Sequence, residues 1–338
     1  MTSPSTPIVS PDDVILGQPA PKTVRAVARA RRGKSRAGSA AGVDRGIVSA
    51  TDWKRPQIRF PLAGAHVVLL ILLVVCGLLP ILWLMKSAFT PTQDTLTQPL
   101  SLFPHGATLD NVAQAFGINI QIQDYFLNTI WVAAGAWVVQ IVVSTTGGYA
   151  LSILRPKYGR IVTGLVIATL FLPAIVLLIP LYLTILHPLV IGSSLINTFW
   201  AVWLPSGASA FNVVLVMRFF DSLPREIFEA AQTDGAGPFR LFWSVVLPMS
   251  RPVIGVVTVF AIINTWKDYL WPNLVLPGGS DPAAVQPLSV RLPAIAGTTE
   301  LGPFLASLAI ATIIPIIMFL LFQRTFLSGG GFGGAVKG

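Results

Sequence analysis

The stretch Ser222–Pro252, SLPREIFEAAQTDGAGPFRLFWSVVLPMSRP, is a polar island of about thirty residues in a mostly apolar chain. A segment of this kind between long apolar stretches has to leave the membrane that those stretches occupy. Its local signals predict a short helix over Arg225–Thr233. Gly235 and Gly237 are expected to end that helix, and Pro238 is suited to begin a second one.

The start of the predicted helix carries several N-terminal signals. Asp221 and Ser222 offer side-chain oxygens for capping, and Pro224 suits a first helical turn. Glu226 and Glu229 place negative charge near the positive end of the helix dipole. Together these residues predict a helix, a glycine turn and a second helix on the membrane surface, an arrangement suited to docking a partner.

The composition identifies a membrane protein. The chain has 338 residues, of which 53% are hydrophobic and 11% charged, and its mean hydropathy is +0.72. So little polar surface cannot cover a soluble globule of this size. Six apolar stretches are long enough to span a bilayer as helices: Leu62–Met85, Tyr125–Leu151, Ile161–Leu186, Ile196–Met217, Val253–Leu276 and Pro303–Phe322.

The distribution of basic residues predicts the orientation of these spans. All but three of the 23 lysines and arginines lie in the two terminal segments or in the loops that share a side with them, and the exceptions are Lys86, Lys267 and Arg291. By the positive-inside rule, both termini and the Ser222–Pro252 loop are cytoplasmic. The formal net charge of +9 therefore reflects membrane topology and does not indicate a nucleic-acid partner.

The polar loop also carries a motif. Glu229-Ala230-Ala231 is followed by Asp234-Gly235 and then by Leu247-Pro248, with Val245 in place of the usual isoleucine. This pattern resembles the EAA loop of bacterial ABC importer permeases. The resemblance implies that the loop is a coupling helix that fits a cleft in an ATPase subunit. The small alanines, the Glu229 charge and the flexible glycine suit such a contact.

Further elements narrow the resemblance. Asn128-Thr129 at the start of the second span and Tyr149-Ala150-Leu151 at its end are similar to elements of the same family. The ending Gly334-Ala335-Val336-Lys337-Gly338 resembles the second permease subunit of maltose-type sugar importers. In that group the tail inserts toward the ATPase dimer, which implies ATPase contacts for three tail residues: Gln323, Arg324 and Lys337.

Polar residues inside the spans are candidates for a substrate pathway, because an amide or a charge at membrane depth needs a partner. The candidates are Asn128, Asn212, Trp266, Lys267 and Asp268. For Asn212, helix packing and pathway lining remain equally open. The Trp266–Asp268 element stands where the family has a Trp-Asn-acid element, and it suits either a sugar ring or an interfacial aromatic belt with Lys267 snorkelling outward.

The resemblance implies an all-α membrane protein with six transmembrane helices and the type I ABC importer permease fold. It implies a sugar permease in the bacterial plasma membrane that works with a second permease subunit, a cytoplasmic ATP-binding subunit dimer and an extracytoplasmic sugar-binding protein. We expect no cofactor, no metal site and no enzymatic activity, with ATP hydrolysis in separate subunits. A non-sugar permease of the same architecture and an ATP-independent secondary transporter remain alternatives.

The domain organisation follows from the same signals. The N-terminal segment, residues 1–60, is rich in Pro, Ser, Ala, Gly and Arg, so it cannot bury enough apolar surface to fold alone. Its arginines can contact anionic lipid headgroups. We divide the chain into a disordered basic cytoplasmic tail (1–60), the first transmembrane helix with an external loop (61–121), the permease core (122–322) and a glycine-rich cytoplasmic tail (323–338).

Overall fold

The computed structural model describes residues 56–101, 106–189 and 192–329. Over these ranges the regular elements are helical. The described residues divide into two units between Cys76 and Gly77, inside the first long helix. In chain order the α-helices are α1 (Pro56–Ala88), α2 (Thr92–Thr97), α3 (Asp110–Ala115), α4 (Ile122–Tyr149), α5 (Gly159–Thr169), α6 (Ala174–Leu186), α7 (Trp200–Ser206), α8 (Ala210–Asp221), α9 (Arg225–Thr233), α10 (Pro238–Leu241), α11 (Leu247–Met249), α12 (Arg251–Lys267), α13 (Leu270–Val275), α14 (Leu288–Ile295) and α15 (Leu301–Gly329).

Three predicted spans are single helices. The first, second and sixth correspond to α1, α4 and α15, and each contains a stretch long and apolar enough to cross a membrane. Helix α1 already begins at Pro56, inside the predicted tail, whose remaining residues lie outside the described ranges. Helix α15 continues to Gly329, beyond the predicted end of the sixth span at Phe322.

The third predicted span is not one straight helix. Helices α5 and α6 meet at 109° across a short break that ends at Pro173. Proline lacks the N–H that would continue the hydrogen-bond ladder, and it disfavours helical geometry in the residue before it. Pro173 and the residues beside it are exposed, so the described contacts do not impose the break, and the local effect of the proline accounts for its position.

The fourth and fifth spans also differ from the prediction. Helices α7 and α8 form the fourth span with a 41° bend, and the residues before Trp200 are not helical. The predicted fifth span, Val253–Leu276, ends as a helix at Lys267 because Asp268 adopts an extended conformation. A separate short helix, α13, follows. If each bent pair crosses the membrane once, the described residues contain up to six spans.

Helix α4 lies at the centre of the second unit and packs against α7, α8 and α12. Close approach depends on glycine. A Cβ atom at Gly148 would lie 2.8 Å from Val216 Cγ1 and 3.1 Å from the Met217 backbone nitrogen, both on α8. The absence of a side chain at Gly148 therefore permits the close crossing of α4 and α8.

Candidate coupling surface and substrate pathway

Helix α9 carries the EAA motif and has two unlike faces. Phe228 is buried and belongs to a cluster with Tyr149, Phe220 and Phe242, and Ala231 packs against the same cluster. On the opposite face Glu226, Glu229 and Ala230 are exposed. Since a nine-residue helix is marginal on its own in water, its order derives from this packing. The exposed face of the helix therefore carries acidic and small side chains, and its packed face holds the helix in place.

The bounds of α9, Arg225–Thr233, agree with the sequence prediction, but its predicted cap does not. The N-cap residue is Pro224, and it makes no side-chain hydrogen bond to the helix. Ser222 instead donates to the carbonyl of Phe219, and Asp221 accepts from Ser152 at 2.8 Å. The Asp221 carboxylate is used by a tertiary contact, and the Ser222 hydroxyl is used by the end of α8. Neither is therefore available to cap α9.

Gly235 ends α9 in the left-handed region, with φ = +80°. The amide of Ala236 then donates to the carbonyl of Ala231 at 2.9 Å, which closes the helix end. A Cβ atom at Gly235 would meet nothing within 4 Å in this chain. The backbone conformation therefore requires the glycine, and close approach would matter only toward another chain.

Tyr149 connects the EAA loop to the end of α4. Its hydroxyl donates to the carbonyl of Pro238 at 2.8 Å, and its ring lies 5.1 Å from the ring of Phe242. A π-helical segment lies next to each side of this contact. Residues Ala150–Leu154 form one directly after Tyr149, and Phe242–Val246 form the other directly after α10. These contacts give the tyrosine of the Tyr149-Ala150-Leu151 element a structural role.

A second contact joins the same two parts of the chain. Arg155 Nη2 lies 3.4 Å from Asp221 Oδ1, and Arg155 has φ = +48°. The arginine also donates through Nε to the carbonyl of Ser152 at 2.8 Å. Exposed pairs contribute little to stability. Here the pair, together with Ser152, links the segment after α4 to the start of the EAA loop.

The end of the EAA loop turns back toward the spans. Leu247 packs against the buried cluster, whereas Pro248 is exposed. The stretch Pro238–Met249 meets α12 at 77°. This stretch also carries two exposed aromatic residues that no sequence motif indicates: Phe239 is 77% and Trp243 is 54% exposed, with ring centroids 6.2 Å apart. Only their burial state, which sequence does not give, sets them apart from the buried Phe242.

The predicted ATPase-contacting tail is described in part. Gln323 lies on α15 and donates to the carbonyl of Leu320 at 3.0 Å. Arg324 lies on the same helix, which runs to Gly329. Lys337 and the Gly-Ala-Val-Lys-Gly ending lie outside the described residues. Their contact with an ATPase stays a prediction.

Asn128 makes structural contacts. Its Nδ2 donates to the carbonyls of Ala283 and Gln286 at 2.7 and 3.1 Å, and the neighbouring Thr129 accepts from the amide of Leu288 at 2.8 Å. The Asn-Thr element thus fastens the loop before α14 to the start of α4. A role in substrate contact stays a prediction for this residue.

Asn212 is 2% exposed and donates to Gln140 Oε1 at 2.7 Å, between α8 and α4. Its Oδ1 is buried and has no partner among the described residues. This hydrogen bond joins α8 to α4, and a role of Asn212 in lining a pathway stays a prediction.

The three residues of the Trp266–Asp268 element make different contacts. Trp266 packs edge-on against Phe126 with ring centroids 6.0 Å apart. Asp268 Oδ1 accepts from the amide of Trp271 at 3.4 Å at the start of α13. Lys267 is exposed and, with Trp266, lines an apolar cavity of about 150 Å³ beside Pro315. The two amides at Asn128 and Asn212 do not line this cavity, so the five candidates do not share it.

Among the described residues, no group of three or more His, Cys, Asp or Glu side chains could hold a metal ion. Residues 144–328 match the family described as the binding-protein-dependent transport system inner membrane component. The matched range contains the EAA loop and covers more than half of the chain. The chain belongs to this family.

Relatives extend the comparison. The probable ABC transporter permease protein YurM of Bacillus subtilis is 31% identical over 276 residues, covering 80% of this chain and 87% of the relative. The arabinooligosaccharides transport system permease protein AraQ of Halalkalibacterium halodurans is 30% identical, with coverage of 77% and 91%. The sulfoquinovosyl glycerol transport system permease protein SmoH of Agrobacterium fabrum is 29% identical, with coverage of 78% and 90%.

A solved structure is similar in fold. A chain of a bacterial ABC transporter involved in the import of the acidic polysaccharide alginate matches with a TM-score of 0.67 at 21% identity. The match covers 83% of this chain and 99% of the other. The type I importer permease fold that the motifs implied is thereby confirmed for this permease.

Proposed function

We propose that this chain translocates a sugar, of mono-, di- or oligosaccharide size, into the cytoplasm as one of two permease subunits of an ATP-driven importer. The observation that carries the coupling part of the proposal is the exposed Glu229–Ala230 surface of α9, which is fixed from beneath by Phe228 and Tyr149. ATP hydrolysis would take place in two separate ATP-binding subunits that dock on this surface.

The geometry supports a mechanical route from the ATPase to the spans. A push on α9 would reach α4 through the Tyr149–Pro238 hydrogen bond and through the Arg155–Asp221 pair. It would reach α12 through the bend at Ser250. Rigid helices joined at such contacts can move as bodies between inward-facing and outward-facing arrangements. Glu229, Ala230, Ala231, Asp234, Gly235, Leu247 and Pro248 are the proposed coupling residues.

The names of the relatives support the substrate class. AraQ is named for arabinooligosaccharides, SmoH for sulfoquinovosyl glycerol, and the permease NgcG of Streptomyces coelicolor for diacetylchitobiose. UgpE of Yersinia pestis, 29% identical, is named for sn-glycerol-3-phosphate, which favours a phosphorylated polyol as a second candidate substrate. Lys267 and Asp268 are the charged residues proposed for the substrate pathway.

An extracytoplasmic binding protein would deliver the substrate. A solved alginate transporter in complex with an alginate-pentasaccharide-bound periplasmic protein matches this chain with a TM-score of 0.56. The proposed orientation places both termini and the EAA loop in the cytoplasm, so the binding protein would approach the surface formed by the loops around α3 and α14.

Transport into membrane vesicles tests the proposal. Vesicles that contain the assembled complex would be loaded with ATP on the cytoplasmic side and supplied with labelled arabinooligosaccharide, diacetylchitobiose or glycerol-3-phosphate with the matching binding protein. Uptake of a sugar that requires ATP is expected. Uptake that is driven by an ion gradient without ATP would contradict the proposal and favour a secondary transporter.

A further inference from the structure

A cavity of about 550 Å³ lies at the predicted extracytoplasmic side, between the segment that follows α3 and the segment that joins α14 to α15. Six of its lining residues carry polar side chains: Gln114, Asn119, Arg291, Thr298, Thr299 and Glu300. Arg291 is one of the few basic residues assigned to this side of the membrane. The proposed function assigns no role to the individual residues of this cavity.

Arg291 is held in place from two directions. Its Nη2 donates to the carbonyl of Asn119 at 2.7 Å, and its guanidinium carbon lies 4.9 Å from the centre of the Tyr125 ring. Tyr125 is almost fully buried, so it forms a fixed surface beneath the cation. An arginine that is fixed in this way needs little further ordering to bind an anion.

Among the described residues, the guanidinium has no acidic partner. The ion pair within 4 Å among the described residues joins Arg155 to Asp221, so Arg291 pairs with no described carboxylate. Its Nε is buried and donates to no described acceptor. The rest of the guanidinium lines the cavity, and a guanidinium bonds most strongly to the paired oxygens of a carboxylate. The site is therefore suited to a carboxylate that this part of the chain does not supply.

The lining favours a protein side chain as the source of that carboxylate. Small-molecule sites are lined mainly by apolar and aromatic groups, whereas half of the residues around this cavity are polar. The aromatic ring nearest the guanidinium, Tyr125, is covered and offers no free face to a sugar. A polar, open cavity on an outer surface resembles the rim of a protein interface. Its volume can admit the tip of a loop.

We propose that this cavity receives an Asp or Glu side chain of the extracytoplasmic binding protein, which pairs with Arg291 and anchors that protein on the permease. The inference rests on the proposed function, since it requires a binding-protein-dependent importer. Glu300 lines the same cavity and repels an incoming carboxylate. Arg291 and Glu300 therefore act in opposite directions on docking.

The test measures how much binding protein is needed to stimulate ATP hydrolysis by the assembled complex in lipid nanodiscs. For Arg291→Gln we expect the half-stimulating concentration to rise about tenfold, with an unchanged maximum and a weaker dependence on salt. Arg291→Lys keeps the charge and should give a smaller rise. Glu300→Gln should lower the half-stimulating concentration about twofold. Because Glu300 is exposed, this variant also tests the proposal if Arg291→Gln fails to fold.

Lys86→Gln is the matched control, because Lys86 is another basic residue assigned to this side and contacts Ser101 instead of the cavity. It should leave the half-stimulating concentration unchanged. If Arg291→Gln and Glu300→Gln also leave it unchanged while stimulation persists, the docking site is wrong and the proposed function stands.

Two further outcomes separate the remaining possibilities. Glucuronate, a free carboxylate-bearing sugar, is titrated into the wild-type complex without binding protein, and binding that Arg291→Gln abolishes would assign the cavity to a small acid and overturn the docking site. Absence of any stimulation of the wild-type complex by binding protein would overturn the proposed function and this inference with it.

Discussion

Replacing Phe228 by alanine should loosen α9 without altering the surface that faces the proposed ATPase. The side chain is 6% exposed and packs within the cluster that contains Tyr149 and Phe242. Phe→Ala changes at buried sites destabilise by about 3–5 kcal/mol. Because α9 has nine residues and depends on packing, most of this energy should appear as local opening of the EAA loop.

The size of the effect can be worked out from that range. Each 1.4 kcal/mol is about a tenfold change in an equilibrium constant, so opening should become about a hundredfold to a thousandfold or more as frequent. Hydrogen exchange of the segment 222–241, measured by mass spectrometry on the purified protein, reports this opening directly. The amide of Asp234, which donates to Ala230 at 3.0 Å, should lose its protection early.

Phe239→Ala is the matched control, since it makes the same chemical change on the same loop at a side chain that is 77% exposed. We expect its exchange to equal that of the wild type. Protection of 222–241 that is the same in Phe228→Ala and the wild type would refute the argument that Phe228 fixes the coupling helix.

Three further changes test contacts around the site. Tyr149→Phe removes the hydrogen bond to Pro238, which contributes about 1 kcal/mol net, and should reduce stimulated but not basal ATP hydrolysis. The control Tyr158→Phe, at an exposed site, should have no effect. Equal stimulation in both variants would contradict the linkage of α4 to the EAA loop through Tyr149. Gly235→Ala introduces about 1–2 kcal/mol of strain at φ = +80° and should lower the thermal unfolding temperature. Gly237→Ala, at φ = −68°, should leave that temperature unchanged. Asn128→Ala leaves the carbonyls of Ala283 and Gln286 without their donor and should destabilise the protein by about 1–3 kcal/mol. Its unfolding temperature should be lower than that of the control Asn264→Ala, at an exposed site. Equal temperatures would contradict a stabilising role for the Asn128 hydrogen bonds.

The sequence was sufficient where local signals decide the structure. The bounds of α9 follow from Pro224 before the helix and from Gly235, whose positive φ ends it. The long helices α1, α4 and α15 follow from hydropathy alone, because a continuous apolar run of this length has few alternatives. The resemblance to the family follows from a motif that combines small residues, a charge and a glycine at fixed spacing.

Features that depend on distant contacts were not predictable. Asp221 offers a cap oxygen in sequence, but Ser152 and Arg155 are some seventy residues away in the chain and take that oxygen. The hydrogen-bond partners of Asn128 and Asn212 lie 155 and 72 residues away in the chain, so the sequence could not indicate them.

The central claim, that the exposed face of α9 docks an ATPase, is tested most directly by co-purification in mild detergent. The tagged wild-type chain is compared with a chain in which Glu229-Ala230-Ala231 is replaced by bulky basic residues. Phe228 and Gly235 are retained in both. The account predicts that ATP-binding subunits and a second permease co-purify with the wild type and that the variant loses the ATP-binding subunits but keeps the second permease. Equal recovery of ATP-binding subunits with both chains, or none with either, would contradict it.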